Sequence, residues 1–176
     1  MRGGQIDVSL ATNGDGPLKG EIDARNFDVV GEPRLKAIVG APASDNGRAL
    51  SKDVKSKIDV SKVRFQRGYA VIEKGKGYLK LGKGILRSDQ VGLSYNGTLY
   101  DAAGRIDMNG TFLPAYGINR LFGEIPLFGE LLGNGRDKGL IGITFNLSGN
   151  AKSPSLNVNP ISLIAPGIFR QIFEFK

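Results

Sequence analysis

The feature that most constrains this chain is alternation. In GLIGITFNLSG, residues 139–149, Ile141, Ile143, Phe145 and Leu147 occupy every second position, with Gly142, Thr144, Asn146 and Ser148 between them. Successive side chains of a strand point to opposite faces, so a period of two marks a strand with one buried side. The same pattern recurs at Ile6, Val8 and Leu10; at Leu18, Ile22 and Ala24; and at Val63 and Phe65. It returns at Val91, Leu93, Tyr95 and Leu99, then at Ile106, Met108 and Phe112. Turn signals stand between these runs: NGDG at 13–16, EKGKG at 73–77, GKG at 82–84, DAAG at 101–104, NGRDKG at 134–139 and KSP at 152–154. Asn96-Gly97 is itself a hairpin dipeptide. Alternation nevertheless runs through it to Tyr100, which places the turn at DAAG and a bulge or bend near Gly97.

Helical spacing is confined to short pieces. Glu32–Val39 opens with Pro33, which suits a first helical turn, and a second piece is expected around Arg48–Lys55. In Ile118–Leu132 the apolar residues Ile118, Leu121, Phe122, Ile125, Phe128, Leu131 and Leu132 recur at steps of three and four, with Pro126 dividing the segment into two helices. That segment is too short and too broken for a bilayer span, which needs about 20 mostly apolar residues. The C-terminal stretch places Ile161, Ile164, Ile168, Ile172 and Phe175 on a similar stripe, kinked at Pro166-Gly167. The expected fold is mainly β: one antiparallel, curved sheet over residues 1–176, with short amphipathic helices between strands and at the C-terminus.

Composition removes several chemistries. The 176 residues include no Cys and no His, which excludes a Cys/His metal site, a thiol nucleophile and a Ser-His-Asp triad. GYLKLGKG, Gly77–Gly84, matches the first seven positions of a phosphate loop, but Gly84 stands where a magnesium-holding hydroxyl is required and no helix follows. Glu21 and Asp23 alternate with Lys19 and Arg25, the look of a solvated, charge-balanced face, and Glu124 and Glu130 stand six apart, off any common helical face. No enzyme and no cofactor are expected. The net charge of +7 is concentrated: residues 48–87 carry twelve Lys/Arg against three acids, a local balance of +9. A basic block of this kind faces nucleic acid, anionic headgroups or water. Phe65, Tyr69 and Tyr78 are the groups in this block that could stack on bases, but Phe65 falls in phase with the inward side, so nucleic acid is not the expected partner. Asn96, Asn109 and Asn146 each begin an N-x-S/T triplet, a weak signal in turn-rich sequence.

Many strands thus offer an apolar face, while the helical stripes available to cover them are short. A closed barrel or sandwich hides such faces against each other; an open, curved sheet leaves a greasy trough. Periodicity does not choose between them.

The segment Thr111–Phe173, TFLPAYGINRLFGEIPLFGELLGNGRDKGLIGITFNLSGNAKSPSLNVNPISLIAPGIFRQIF, resembles the C-terminal signature of the AsmA-like proteins, closest to their YhdP branch. The matching positions are Gly110, Pro114, Tyr116, Asn119, Pro126, Gly129, Gly139, Phe145, Gly149, Pro154, Val158, Asn159, Pro160, Pro166, Gly167 and Arg170. The stretch LKGEIDARNFDVVGEPRL, Leu18–Leu35, is similar as well. The resemblance implies a C-terminal piece of a longer protein, anchored in the inner membrane of a Gram-negative envelope and reaching through the periplasm as a β-rich groove. It implies non-enzymatic carriage of phospholipid between inner and outer membranes in support of outer-membrane integrity, with the upstream polypeptide and both membrane surfaces as partners. It favours the open trough. Its lining would then be Val91, Leu93, Tyr95, Leu99, Ile106, Met108, Phe112, Ile141, Ile143, Phe145 and Leu147. Contact with a membrane or partner would fall to Ile118, Leu121, Phe122, Phe128, Ile164, Ile168, Phe169, Ile172 and Phe173. The alternative is a docking module for an envelope partner, with a closed core and no lipid.

Overall fold

A computed structural model describes residues 1–42, 56, 58–114 and 140–164. Eight strands follow one another: β1 (Gln5–Ala11), β2 (Leu18–Val30), β3 (Lys62–Gly75), β4 (Tyr78–Ser88), β5 (Val91–Tyr100), β6 (Arg105–Pro114), β7 (Leu140–Asn150) and β8 (Ser153–Ile164). Each pairs antiparallel with the next, in one sheet of order β1 to β8, and β1 and β8 are not paired with each other. The expected mainly β, open, antiparallel sheet is therefore the observed one.

A single helix stands among the described elements, α1 (Pro33–Gly40), between β2 and β3. Pro33 begins it, the Glu32 carboxylate accepts a hydrogen bond from the Arg34 N–H at 3.1 Å, and Leu35, Ile38 and Val39 are buried. The expected piece at 48–55 and the segment 118–132 lie outside the described residues, as do Ile168, Phe169, Ile172 and Phe173. The C-terminal stripe needs correction at its start. Ile161 and Ile164 belong to β8, where Leu140 pairs with Ile164 and Ile141 with Leu163. Three-residue spacing there coincides with a strand, because pairing to β7 decides the backbone.

Turns form at 12–17, 76–77, 101–104 and 151–152, matching four of the signals. The DAAG turn is closed by Asp101, whose carboxylate accepts from the N–H groups of Ala103 and Arg105 at 2.9 and 2.8 Å. The chain passes through Asn96-Gly97 as strand, with Gly97 at φ 135° against the Asp107 carbonyl. GKG at 82–84, by contrast, is no turn. β4 continues through it, and Lys83 at φ 50° absorbs a slip of register against both neighbouring strands.

Pairing aligns apolar positions into rows that cross the sheet. One row runs Ile6–Ala24–Gly68–Leu86–Leu93–Phe112–Ile143 over seven strands. Another runs Leu10–Gly20–Ile72–Leu81–Gly97–Met108–Leu147–Leu156 over all eight. In β2 the alternation slips at Asn26 (φ 54°), so that Ala24 and Phe27, three apart, are both buried. β3 does the same opposite, where Phe65 and Gly68 share the apolar face.

The sheet curls around that face. In a flat sheet β2 and β7 would lie roughly 24 Å apart, while α1, tethered two residues after β2, is only about 12 Å long. Yet α1 meets β7 and β8. The two borders also differ. β8 carries Pro154 and Pro160, the second at a register slip, whereas β1 is seven residues of plain alternation with no proline.

Candidate functional site

The apolar face divides into two halves. At the end where α1 returns, Leu35, Ile38 and Val39 pack with Phe27, Val63, Phe65, Val91, Leu93, Phe112 and Ile143 in a single cluster. Phe65 and Phe112 are wholly buried, and Phe27 stacks on Phe65 with ring centroids 5.5 Å apart and planes inclined by 26°. The β4–β5 turn is pinned beside them. The buried Ser88 hydroxyl accepts from the N–H of Val91 at 2.8 Å and donates to its carbonyl at 2.8 Å.

The other half is not filled in this way. Tyr95, Phe145, Leu147, Leu156 and Val158 are half-buried on the same face. Towards the β1 border the rows become fully open, with Ile6, Val8 and Leu10 exposed by 48%, 54% and 40%. Two glycines let aromatic rings lie flat on the sheet between these halves. A Cβ on Gly84 would strike the Tyr95 ring and one on Gly110 the Phe145 ring, both closer than 3 Å. The row Gly84–Tyr95–Gly110–Phe145–Val158 is thus paved rather than grooved at those points. The Tyr95 hydroxyl donates to the Tyr69 carbonyl at 3.4 Å, and burial pushes its pKa up to about 12.

The expected lining residues therefore separate. Val91, Leu93, Phe112 and Ile143 are core beneath α1; Ile106 and Met108 are buried nearer the hairpin end; Tyr95, Phe145 and Leu147 lie on the accessible part. Ile141 is placed by its pairing with Leu163, and Ile164 by its pairing with Leu140. Leu99 differs, because a slip between β4 and β5 sets Tyr100 opposite Leu79 and leaves Leu99 exposed. Alternation marked Ile6, Val8 and Ile22 as lying on apolar strand faces, but only pairing joins them with Leu81, Leu156 and Val158 into the same surface.

The opposite face is polar, and its ion pairs between strands lie on β1–β4. Asp23 receives Arg67 at 2.6 Å and Arg25 at 3.2 Å; Asp28 receives Lys62 at 3.3 Å and Arg64 at 3.5 Å; Glu73 receives Lys19 at 3.5 Å. Burial raises the Asp23 carboxyl, but hydrogen bonds from Arg25 and Arg67 outweigh it and hold the group below its ordinary range. Much of the basic block between Lys62 and Arg67 is thus engaged by carboxylates. Among the described residues no three His, Cys, Asp or Glu side chains converge as metal ligands, and no helix is long and apolar enough to cross a membrane. No family model, no curated protein and no solved structure matches the chain.

Proposed function

We propose that this chain is a lipid-carrying segment of a periplasmic bridge between the inner and outer membranes. A phospholipid would lie with its chains along the unfilled half of the apolar face. The observation that carries this reading is the apolar row that crosses all eight strands and ends, uncovered, at Leu10. Exposing hydrocarbon to water costs about 0.8 kcal/mol per methylene, so two acyl chains crossing free solvent meet a barrier of tens of kcal/mol. A surface that replaces bilayer contacts with side-chain contacts lowers that barrier without any reacting group. The resemblance to AsmA-like proteins supplies the setting: an inner-membrane-anchored protein, a phospholipid cargo and a role in outer-membrane integrity.

The packed cluster beneath α1 favours a second reading, in which this end of the sheet is a stopper and the domain docks onto an envelope partner. Native mass spectrometry of the purified chain separates the two. Phospholipid that co-purifies, and is lost in folded Phe145→Asp, supports carriage. Lipid-free protein, or lipid equally retained by Phe145→Asp, supports docking and overturns carriage.

A further inference from the structure

The polar face of β5–β8 has a different chemistry from that of β1–β4. Pairing aligns Ser94, Thr111, Thr144 and Asn159 in one row, and Asn96, Asn109, Asn146 and Asn157 in the next. The three N-x-S/T asparagines are the first three members of that second row. A third row, Thr98–Asp107–Ser148–Ser155, adds the lattice's one charged residue. A cavity of about 580 Å³ lies along the first two rows, within the ~300–1,000 Å³ of ordinary ligand sites. Both polar rows line it, together with the row between them, Gly84, Tyr95, Gly110, Phe145 and Val158, and with Lys83 at the β4 end. Leu93, Met108, Phe112, Leu147 and Leu156, the next positions along the apolar face, do not border it, which sets its opening on the polar side.

Inside this lattice Asn146 is committed. Its amide N–H groups donate to Asn109 Oδ1 at 3.0 Å and Asp107 Oδ1 at 3.1 Å. The amide nitrogen of Asn109 is left to face outward, and Asn96, Asn157 and Asn159 make no side-chain hydrogen bond among the described residues. Within the two rows an ionic ligand would find no opposite charge, Lys83 at the β4 end being the one charged residue that borders the cavity, and a lipid would find no apolar side chain in those rows. A side-chain amide both donates and accepts, as does a hydroxyl, so the surface matches a ligand that is itself covered in hydroxyls. Strands about 4.8 Å apart and same-face positions about 6.8 Å apart repeat that pattern in two directions, which suits an extended ligand of repeating units.

We propose that the amide and hydroxyl rows of β5–β8 bind a neutral oligosaccharide chain. This site is on the opposite face from the lipid surface and stands or falls independently of it. Each hydrogen bond exchanged with water contributes little net free energy, so binding is expected in the millimolar range. The test is titration of the ¹⁵N-labelled chain with tetra-N-acetylchitotetraose and with maltotetraose, followed by amide shifts. Saturable shifts with either sugar should cluster at 94–96, 109–111, 144–146 and 157–159. They should weaken about tenfold or more in the double variant Asn109→Lys, Asn157→Lys with a dispersed spectrum. If that variant does not fold, the exposed Asn96→Lys serves the same comparison. Absence of saturable shifts with both sugars up to about 10 mM, or shifts unaltered by the substitutions, overturns the proposal. So do shifts centred on the apolar face.

Discussion

Truncating two phenylalanines on one face should have unequal effects. Phe65 is wholly buried and stacked on Phe27. A phenylalanine buries up to about 200 Å², which at about 25 cal/mol per Å² is ~5 kcal/mol before relaxation. Phe65→Ala leaves a cavity under α1 and loses the ring pair, so ~3–5 kcal/mol of stability should go. Phe145 is half-buried, with its ring lying over Gly110. Roughly half the area is at stake and the vacated space opens to solvent, so Phe145→Ala should cost only ~1–2 kcal/mol. With a urea slope of about 2 kcal/mol per molar, the midpoint should fall by roughly 2 M in the first variant and by under about 1 M in the second. Urea unfolding followed by far-UV circular dichroism reads both. Equal losses would refute the division of this face into a packed and an open half.

Ser88→Ala removes the hydroxyl that accepts from the Val91 N–H in a buried turn, and should cost ~1–3 kcal/mol in the same assay. Asp23 is held below its ordinary range in the folded chain, so its contribution is complete above the unfolded carboxylate pKa and is lost as pH falls through the folded one. Thermal unfolding of Asp23→Asn should accordingly show a flatter acid limb below about pH 4 than the parent chain. Tyr95 runs the other way. With its pKa raised from 10.0 to about 12, its contribution is complete below pH 10 and declines as pH rises towards 12. Tyr95→Phe should flatten that alkaline limb, and absorbance titration should find one phenolate fewer forming late.

How much of this was legible in the sequence depended on range. Ile141–Leu147 announced a strand because every determinant lies within seven residues, and Pro33 announced α1 for the same reason. GKG at 82–84 misled because glycine marks both a turn and a bulge, and only β5 on the far side tells them apart. Ile161 and Ile164 misled because a three-residue step satisfies a helix until β7 claims the backbone. The asparagine row was invisible for another reason. Asn96, Asn109, Asn146 and Asn157 lie 13, 37 and 11 residues apart, and nothing but the register of three strand pairings brings them into line. The same holds for α1 meeting β7 and β8, which a reading along the chain has no means to anticipate.

The contrast between the borders of the sheet has a consequence for handling the protein. Backbone groups along β8 are interrupted by prolines that refuse a newcomer, while those of β1 stand in an unbroken, oil-sided line. Association between molecules should therefore be one-ended: it begins at residues 5–11, and a single lysine at Val8 should do more to keep concentrated stocks clear than any change made at the C-terminal border.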